Sequence, residues 1–247
     1  MSSRSAPVPV TGATGRQGGA TARAPLAAGV PVHALVRDPA NAQAQTIEAF
    51  GADLVNRRSP RPRFRHAGLD RRTREQMEPY HSAESRIQDR LREAGFPHWT
   101  LLKPGFFTDE FLPSTRFCFP CGIEGGPVSV VKPGTTMSLA AVEDIGTATA
   151  AAISAPERFD KAELELASDY LSMTRIAEIL TRVPGVPLSA PGTTETEAIA
   201  AGMPPMGAAH ELYDVVGQPA RPQYARDLGL PLTGFEEWAR RRMGSAA

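Results

Sequence analysis

The sequence predicts an α/β protein built on a doubly wound parallel sheet. Short apolar strands alternate with helical segments through the first 56 residues, and a glycine-rich turn joins the first strand to the first helix. Parallel strands need a crossover, usually a helix, so this alternation is how such a sheet begins. The 247 residues are enough for one domain of this kind with a small appendage.

Composition narrows the range of partners. The chain carries 27 basic and 27 acidic residues, so no overall field draws it to nucleic acid or an anionic membrane. Apolar residues make up 41% and contain no run long enough to span a bilayer. Two cysteines and an N-terminus without an apolar signal segment lead us to expect a cytoplasmic protein.

The first half of the sheet follows from local patterns. Apolar runs predict three strands, and alanine-rich stretches ending at Gly29 and Gly51 predict two helices with glycine just beyond the last turn. The predicted strands cover 7–11, 32–36 and 52–55, and the predicted helices cover 16–28 and 40–50.

The segment 56–79 interrupts this pattern and is predicted to be mainly irregular. Between Arg57 and Arg74 it holds eight arginines against one acid, Asp70. A basic arm for nucleic acid is one interpretation, and a solvated surface loop is the other. Phe64 by itself makes no aromatic platform on which bases could stack, and the whole chain is neutral, so we expect a loop and no nucleic-acid partner.

The remainder returns to alternating helices and strands. Thr233 and Glu236 have the spacing of a capping box that would begin the last helix, which runs through Arg240. We expect a dinucleotide-binding domain over 1–125 and a small lobe over 126–247, interleaved with it. The other predicted helices are 82–94, 143–154, 174–182 and 193–201, the predicted strands are 99–102 and 164–167, and 106–136 is predicted as loop with short strands.

The turn after the first strand carries the chemical signal. Its glycines follow the spacing Gly12-x-x-Gly15-x-x-Gly18, with a strand before and a helix after. In this context the first glycine permits the tight turn, the second lets a diphosphate approach the backbone, and the third lets the helix pack closely. The N–H groups that open the helix would face the anion. The predicted cofactor residues here are Gly12, Thr14, Gly15, Arg16, Gln17 and Gly18.

The end of the second strand bears on cofactor choice. Arg37 stands where a carboxylate would select the ribose 2′-hydroxyl of NAD, and a guanidinium suits the 2′-phosphate of NADP. Asp38 follows immediately and keeps NAD(H) possible. A simple surface pair between Arg37 and Asp38 is the alternative without a ligand. We therefore expect NADP(H) to be preferred.

These stretches resemble the NmrA-like family of atypical short-chain dehydrogenases. The segment VTGATGRQGGATARAPLAAGVPVHALVRDP carries the resemblance, and RIQDRLREAGFPHWTLLKPGFFTDEFLP, SLAAVEDIGTATAAAI and LELASDYLSMTRIAEIL extend it. The resemblance implies a Rossmann domain with a C-terminal lobe over the cofactor cleft. It also implies either an NADPH-dependent reductase of quinones and similar compounds, or a non-catalytic nucleotide sensor that binds a regulatory protein partner.

The chain departs from the family pattern in four places. Only eight residues separate Val55 from Phe64, where the family has a further strand unit, and a parallel crossover needs about a dozen. Pro9 lies in the predicted innermost strand and Pro25 inside the first predicted helix. Glu84 stands at the family's usual active-site lysine. The resemblance therefore implies an internal deletion, and a defective chain without cofactor binding is a further interpretation.

The catalytic candidates are few. Tyr80 and Glu84 have the spacing of the tyrosine–lysine pair of short-chain dehydrogenases, but a carboxylate there disfavours tyrosinate. Tyr80 is thus a weak proton-donor candidate, with a helix-start surface aromatic as the alternative, and His81 is a candidate by proximity alone.

Two further motifs contain candidate residues. Phe106 and Phe107 follow a predicted strand at the end where α/β sheets bind ligands, so they are substrate-pocket candidates; the alternative is core packing. Cys118 and Cys121 form a C-x-x-C, but no further cysteine or histidine motif accompanies it, so we expect neither a metal site nor a redox pair.

The combined expectation is an NAD(P)(H)-binding protein that reduces a quinone-like small molecule, with weak or impaired catalysis. Its alternatives are a nucleotide or redox sensor without turnover and a defective paralogue.

Overall fold

The computed structural model describes residues 6–56 and 88–244. Its first sheet is parallel and has three strands. Strand β1 (Val8–Thr11) lies beside β2 (Val32–Val36), which lies beside β3 (Asp53–Asn56). Val8 is opposite Val32, and Ala34 is opposite Leu54. Helices α1 (Arg16–Ala27) and α2 (Ala42–Ala49) connect these strands, so the predicted order of this half is confirmed.

Pro9 fits β1 because of the direction in which its nitrogen points. The N–H of Val8 donates to Pro31 at 2.8 Å, and successive residues of a strand point their N–H groups to opposite sides. The nitrogen of Pro9 therefore faces away from β2, so its missing hydrogen removes no bond of this ladder. Within the described ranges no strand pairs with this second edge of β1, which is where proline is tolerated.

Pro25 lies in the last turn of α1, not in its middle. Gly29, at φ +77°, follows the helix; its N–H donates to Leu26 at 2.9 Å and that of Val30 donates to Pro25 at 3.0 Å. These two bonds satisfy the last carbonyls of the helix in the Schellman pattern. The predicted glycine stop is therefore confirmed, and the helix continues for only two residues beyond the proline.

The second half of the chain completes the α/β fold. Residues 88–93 are helical, as predicted for the described part of 82–94. The strands that follow are β4 (Thr100–Pro104), β5 (Phe106–Phe107), β6 (Thr136–Ala140), β7 (Ala162–Leu166) and β8 (Asp169–Ser172). The helices are α3 (Val142–Ser154), α4 (Met173–Arg182), α5 (Glu195–Ala200), α6 (Tyr213–Val216), α7 (Pro222–Asp227) and α8 (Phe235–Met243), with 3-10 turns at Thr108–Phe111, Pro113–Thr115, Ile123–Gly125 and Pro205–Leu212.

Residues 100–107 connect two further strand groups. β4 pairs in parallel with β7, and β5 pairs in parallel with β6. The change of partner occurs at Gly105, where a Cβ would lie 2.3 Å from the carbonyl oxygen of Ser138. Only glycine permits this close approach, which brings the residues after β5 toward the C-terminal half.

Strands β6 and β8 were not predicted. The predicted loop with short strands ends at 136 and includes only the first residue of β6, and the four residues of β8 are only half-buried. They pair antiparallel, with Met137 opposite Leu171, and so extend the second half of the fold. A strand of four residues such as β8 is too short to show an alternating pattern of apolar and polar residues in the sequence. It forms because β6 supplies the partner for its hydrogen bonds.

The last helix begins differently from the prediction. Thr233 does not cap α8; its hydroxyl donates to the buried carboxylate of Asp144 at 2.9 Å, and Gly234 is the N-cap. The capping-box prediction is therefore wrong, because a buried charged acceptor binds the hydroxyl more strongly than a helix N–H would. Glu236 pairs instead with Arg182 and Arg240.

The predicted gap after β3 falls mostly outside the described residues. The prediction that 56–79 is mainly irregular concerns positions 57–79 almost entirely, and the structure describes none of these. Among the described strands, β1 has only β2 beside it and β4 has only β7.

Candidate functional site

The glycine-rich turn places the start of α1 against the end of β1. Gly12 has φ +67°, and its carbonyl accepts the N–H of Gly15 at 2.9 Å. A Cβ on Gly18 would lie 2.1 Å from the same carbonyl oxygen, so the helix can pack this closely only without a side chain there. Gly15 is the N-cap residue of α1, and among the described residues no side chain accepts an N–H of the first turn. The N–H groups that open the helix can therefore receive an anion.

A cleft of about 430 Å³ opens at this turn. Three guanidiniums and two carboxylates line it, contributed by parts of the chain that are far apart in sequence. Its lining residues are Thr14, Gly15, Arg16, Arg23, Asp109, Val142, Glu143 and Arg242. The N-termini of α1 and α3 both border the cleft, because the two helices pack along each other.

An ion pair crosses this region. The guanidinium of Arg16 lies 2.9 Å from a carboxylate oxygen of Glu110, in the 3-10 turn after β5. Burial raises the pKa of Glu110; Arg16 opposes that shift and nearby Asp109 adds to it. An anion that binds at the start of α1 must share Arg16 with this carboxylate.

Asp109 is buried and holds the C-terminal helix. One of its carboxylate oxygens accepts the indole N–H of Trp238 at 3.1 Å, and Trp238 is itself fully buried. Arg23, Asp109, Glu143 and Arg242 are cleft residues that the sequence analysis did not single out. For Asp109 the sequence held a weak signal, an acid two residues after Phe107 and seven residues beyond the predicted strand 99–102. For Arg242 it held none, because the cleft receives it only through tertiary packing.

The predicted cofactor residues on the two strand ends are accessible. Thr14, Gln17 and Arg37 are all exposed. In the described part of the chain Arg37 forms no ion pair, whereas one carboxylate oxygen of Asp38 accepts the N–H of Ala40 at 2.9 Å. The alternative of an Arg37–Asp38 surface pair is therefore not what the structure contains.

Phe106 and Phe107 point into different parts of the core. Phe106 is 9% exposed and packs edge-on against Phe111 and His210, with ring centroids 5.5 and 5.2 Å apart. It borders a void of about 10 Å³, which has room for no more than a water molecule. Phe107 packs in a separate cluster with Leu164. A substrate-binding role for the two phenylalanines stays a prediction.

The remaining candidates divide into buried and undescribed positions. Cys118 is buried, which raises the pKa of its thiol well above the usual range, whereas Cys121 is exposed. Across residues 6–56 and 88–244 no three histidine, cysteine or acidic side chains are grouped to hold a metal ion. Tyr80, His81 and Glu84 lie outside the described residues, so their predicted roles are untested.

Comparison with known proteins agrees with this fold. A model of the NmrA-like family matches residues 5–60 and 63–218. The fold and the glycine turn are those of a dinucleotide-binding type of α/β protein, and the match covers most of the sequence. The chain belongs to the NmrA-like family.

One curated protein is similar to part of this chain. Agroclavine dehydrogenase of Claviceps fusiformis is 32% identical over 146 residues, which span 56% of this chain and 50% of that protein. The alignment thus reaches only half the length of this curated relative.

No helix among the described residues is long and apolar enough to cross a bilayer.

Three solved structures share the fold at low identity. NmrA, a negative transcriptional regulator in complex with NADP, is 14% identical with a TM-score of 0.68, covering 97% of this chain and 96% of its own. The NADPH-dependent quinone oxidoreductase QOR2 of Escherichia coli, complexed with NADPH, is 20% identical with a TM-score of 0.69 (95% and 99%). Triphenylmethane reductase of Citrobacter sp., complexed with NADP(H), is 16% identical with a TM-score of 0.69 (95% and 99%).

Proposed function

We propose that this protein binds NADP(H), with NAD(H) as a weaker ligand, in the cleft at the glycine-rich turn. The observation that carries the proposal is the start of α1, where no described side chain accepts the first N–H groups and the helix packs against Gly12 by a contact that only Gly18 allows. A diphosphate fits this backbone because it presents charged oxygens to several N–H groups at once. The complexes of NmrA, QOR2 and triphenylmethane reductase with NADP(H) support the choice of ligand.

Arg37 is the residue we assign to cofactor preference. It stands just beyond the carboxyl end of β2, it is exposed, and within the described residues no carboxylate neutralises it. A 2′-phosphate can accept charge-assisted hydrogen bonds from its guanidinium, which a ribose hydroxyl cannot match.

The activity we propose is reduction of a small quinone-like acceptor. The bound cofactor would supply the hydride, and the protein would hold it in orientation and limit access of water. No histidine, cysteine or tyrosine of the described residues lines this cleft, and Glu110 and Asp109 are already engaged by Arg16 and Trp238. A quinone suits such a site, because its reduced form can take protons from water.

A second candidate is a nucleotide sensor that acts through a regulatory protein partner. NmrA, which has the same fold, is a negative transcriptional regulator, and that likeness favours this alternative. Both candidates need a nucleotide, so a titration of the protein with NADPH and NADH by calorimetry tests them together. Absence of binding to either would overturn both and leave the defective chain.

Turnover separates the two candidates. NADPH oxidation is followed at 340 nm with a panel of quinones, and we expect slow but protein-dependent oxidation. Tight NADPH binding with no oxidation by any quinone would favour the sensor.

The residue at the family's lysine position gives a sharper test. We expect ketone reduction to be absent or very slow, because Glu84 cannot favour the tyrosinate form of Tyr80. General acid–base help typically contributes about 10²–10⁴-fold, so Glu84→Lys should raise ketone reduction more than quinone reduction. Rapid ketone reduction by the unmodified protein would contradict this expectation.

A further inference from the structure

The C-terminal helix α8 is fixed by three buried or half-buried carboxylates from other elements. Asp144, in the first turn of α3, accepts the N–H and hydroxyl of Thr233 at 2.8 and 2.9 Å. Asp169 accepts the N–H of Phe235 at 3.0 Å, and Asp109 accepts the indole N–H of Trp238 at 3.1 Å. Because one of these acceptors, Asp109, also lines the cleft, the helix has a defined position beside it.

Three consecutive arginines lie in the last turn of this helix. They differ in the residue that lies one turn earlier on the same face. Arg240 pairs with Glu236 at 2.5 Å, and Arg241 pairs with Glu237. The residue four positions before Arg242 is Trp238, which offers no carboxylate. Arg242 is exposed, forms no ion pair within the described ranges, and lines the cleft.

The other two guanidiniums of the cleft are already engaged. Arg16 pairs with Glu110 at 2.9 Å. Arg23 lies over the ring of Phe50, 5.7 Å from its centroid, and its Nη1 is 3.0 Å from where a Cβ on Gly19 would stand. Arg242 is therefore the cleft guanidinium with neither an ion pair nor a ring contact in the described structure.

We propose that Arg242 is a cofactor-binding residue that donates to the diphosphate from the C-terminal helix, opposite the start of α1. This inference rests on the proposed function and adds a contact that no residue of the glycine turn supplies. A diphosphate carries two negative charges, and a planar guanidinium can donate to two of its oxygens at once. The helix would thus close the cleft over the part of the cofactor common to NADP(H) and NAD(H).

The test compares Arg242→Ala with its neighbour Arg241→Ala. Both remove one exposed arginine from the same turn, but Arg241 pairs on the surface with Glu237 and does not line the cleft. Calorimetry measures the dissociation constants of NADPH, NADH and ADP-ribose, which share the diphosphate and differ in their ends. We expect Arg242→Ala to weaken the binding of all three ligands by about tenfold, and Arg241→Ala to leave the binding of all three unchanged.

Each result decides the proposal. An equal loss for all three ligands supports a diphosphate contact. A loss confined to NADPH would place Arg242 on the 2′-phosphate, and a loss that spares ADP-ribose would place it at the nicotinamide; either would overturn the proposal, as would no loss. If the unmodified protein binds none of the ligands, the proposed function itself fails. Thermal unfolding of both variants checks that they remain folded.

Discussion

Glu110 would compete with the proposed ligand for Arg16. The two side chains lie 2.9 Å apart beside the cleft, and burial raises the pKa of the carboxyl. A bound diphosphate would have to displace this carboxylate or share the guanidinium with it. The ion pair would therefore lower the affinity for a diphosphate while Glu110 is charged.

Replacing this carboxylate should tighten binding. We expect Glu110→Gln to bind NAD⁺ and ADP-ribose several-fold more tightly, because an amide competes weakly for a guanidinium. In the unmodified protein, affinity should rise as pH falls through the acidic range, since protonation of Glu110 removes the competing charge; in the variant it should be flat. NAD⁺ is used because it has no 2′-phosphate to titrate and is stable in acid.

The control removes an acid from a comparable pair elsewhere. Glu178 pairs with Arg175 at 2.8 Å on helix α4, so Glu178→Gln changes the net charge equally without touching the cleft. Calorimetry between pH 5 and 7.5 measures all three proteins. Equal affinities for Glu110→Gln and Glu178→Gln would contradict the competition for Arg16.

Arg37 should read the 2′-phosphate alone. Hydrogen bonds to a charged group are worth about 1.5–3 kcal/mol, so Arg37→Ala should weaken NADPH by roughly 10- to 150-fold. Affinity for NADH should stay nearly unchanged, because NADH has a hydroxyl at that position. Arg226→Ala, which removes an exposed arginine from helix α7, serves as the control. Equal losses for the two cofactors would mean that Arg37 does not contact the phosphate.

At the scale of elements, the distance between α1 and α3 sets the shape of the cleft. A Cβ on Gly146 would lie 2.6 Å from the carbonyl oxygen of Ala20, so the backbones touch where the helices cross. The cleft is bordered by the N-termini of these same helices. Their approach therefore controls how far Thr14–Arg16 stand from Glu143.

A methyl group at this crossing should separate the helices. We expect Gly146→Ala to lower the free energy of unfolding by about 1–3 kcal/mol, the usual cost of overpacking a fitted contact. The substitution should also weaken the binding of NADPH. Gly134→Ala is the matched control, because no atom lies within 4 Å of its Cβ position. Urea unfolding measures both, and equal midpoints for the two variants would show that the helices can yield at no cost.

At the scale of the whole molecule, the burial of His210 makes the stability of the protein depend on pH. Its ring stacks on Tyr213, with centroids 5.1 Å apart, and meets Phe106 and Phe117. Burial lowers the pKa of His210 to about 4 from its ordinary value of 6.5. Between these values the unfolded chain binds a proton that the folded protein does not, so stability falls as pH decreases through this range.

This loss should depend on the histidine. Up to about 3 kcal/mol of stability should disappear between pH 6.5 and 4 through His210, and none of it in His210→Gln. Urea unfolding at pH 7 and pH 5 measures the free energy for both proteins, and the difference between them cancels the contribution of the carboxyl groups. Parallel pH dependences would show that the ring is not held neutral by burial.

The sequence by itself determined the order of the first half and the turn that begins α1. β1 through β3, the glycine stops at Gly29 and Gly51, and the spacing of Gly12 to Gly18 all follow from neighbours within a few positions. Such signals are local: a period of apolar residues or a position that excludes a side chain can be read without knowing the rest of the fold.

Tertiary structure decided the walls of the cleft and the last helix. Thr233 binds Asp144 and not its own helix, Glu110 meets Arg16, and Arg242 reaches the same cleft from the far end of the chain. Each of these contacts joins residues that are distant in sequence, and each depends on the path of several elements at once. A capping pattern or a run of charges indicates only which hydrogen bonds or ion pairs a side chain is able to form. The packing of α1, α3 and α8 determines which partner is close enough for it to bind.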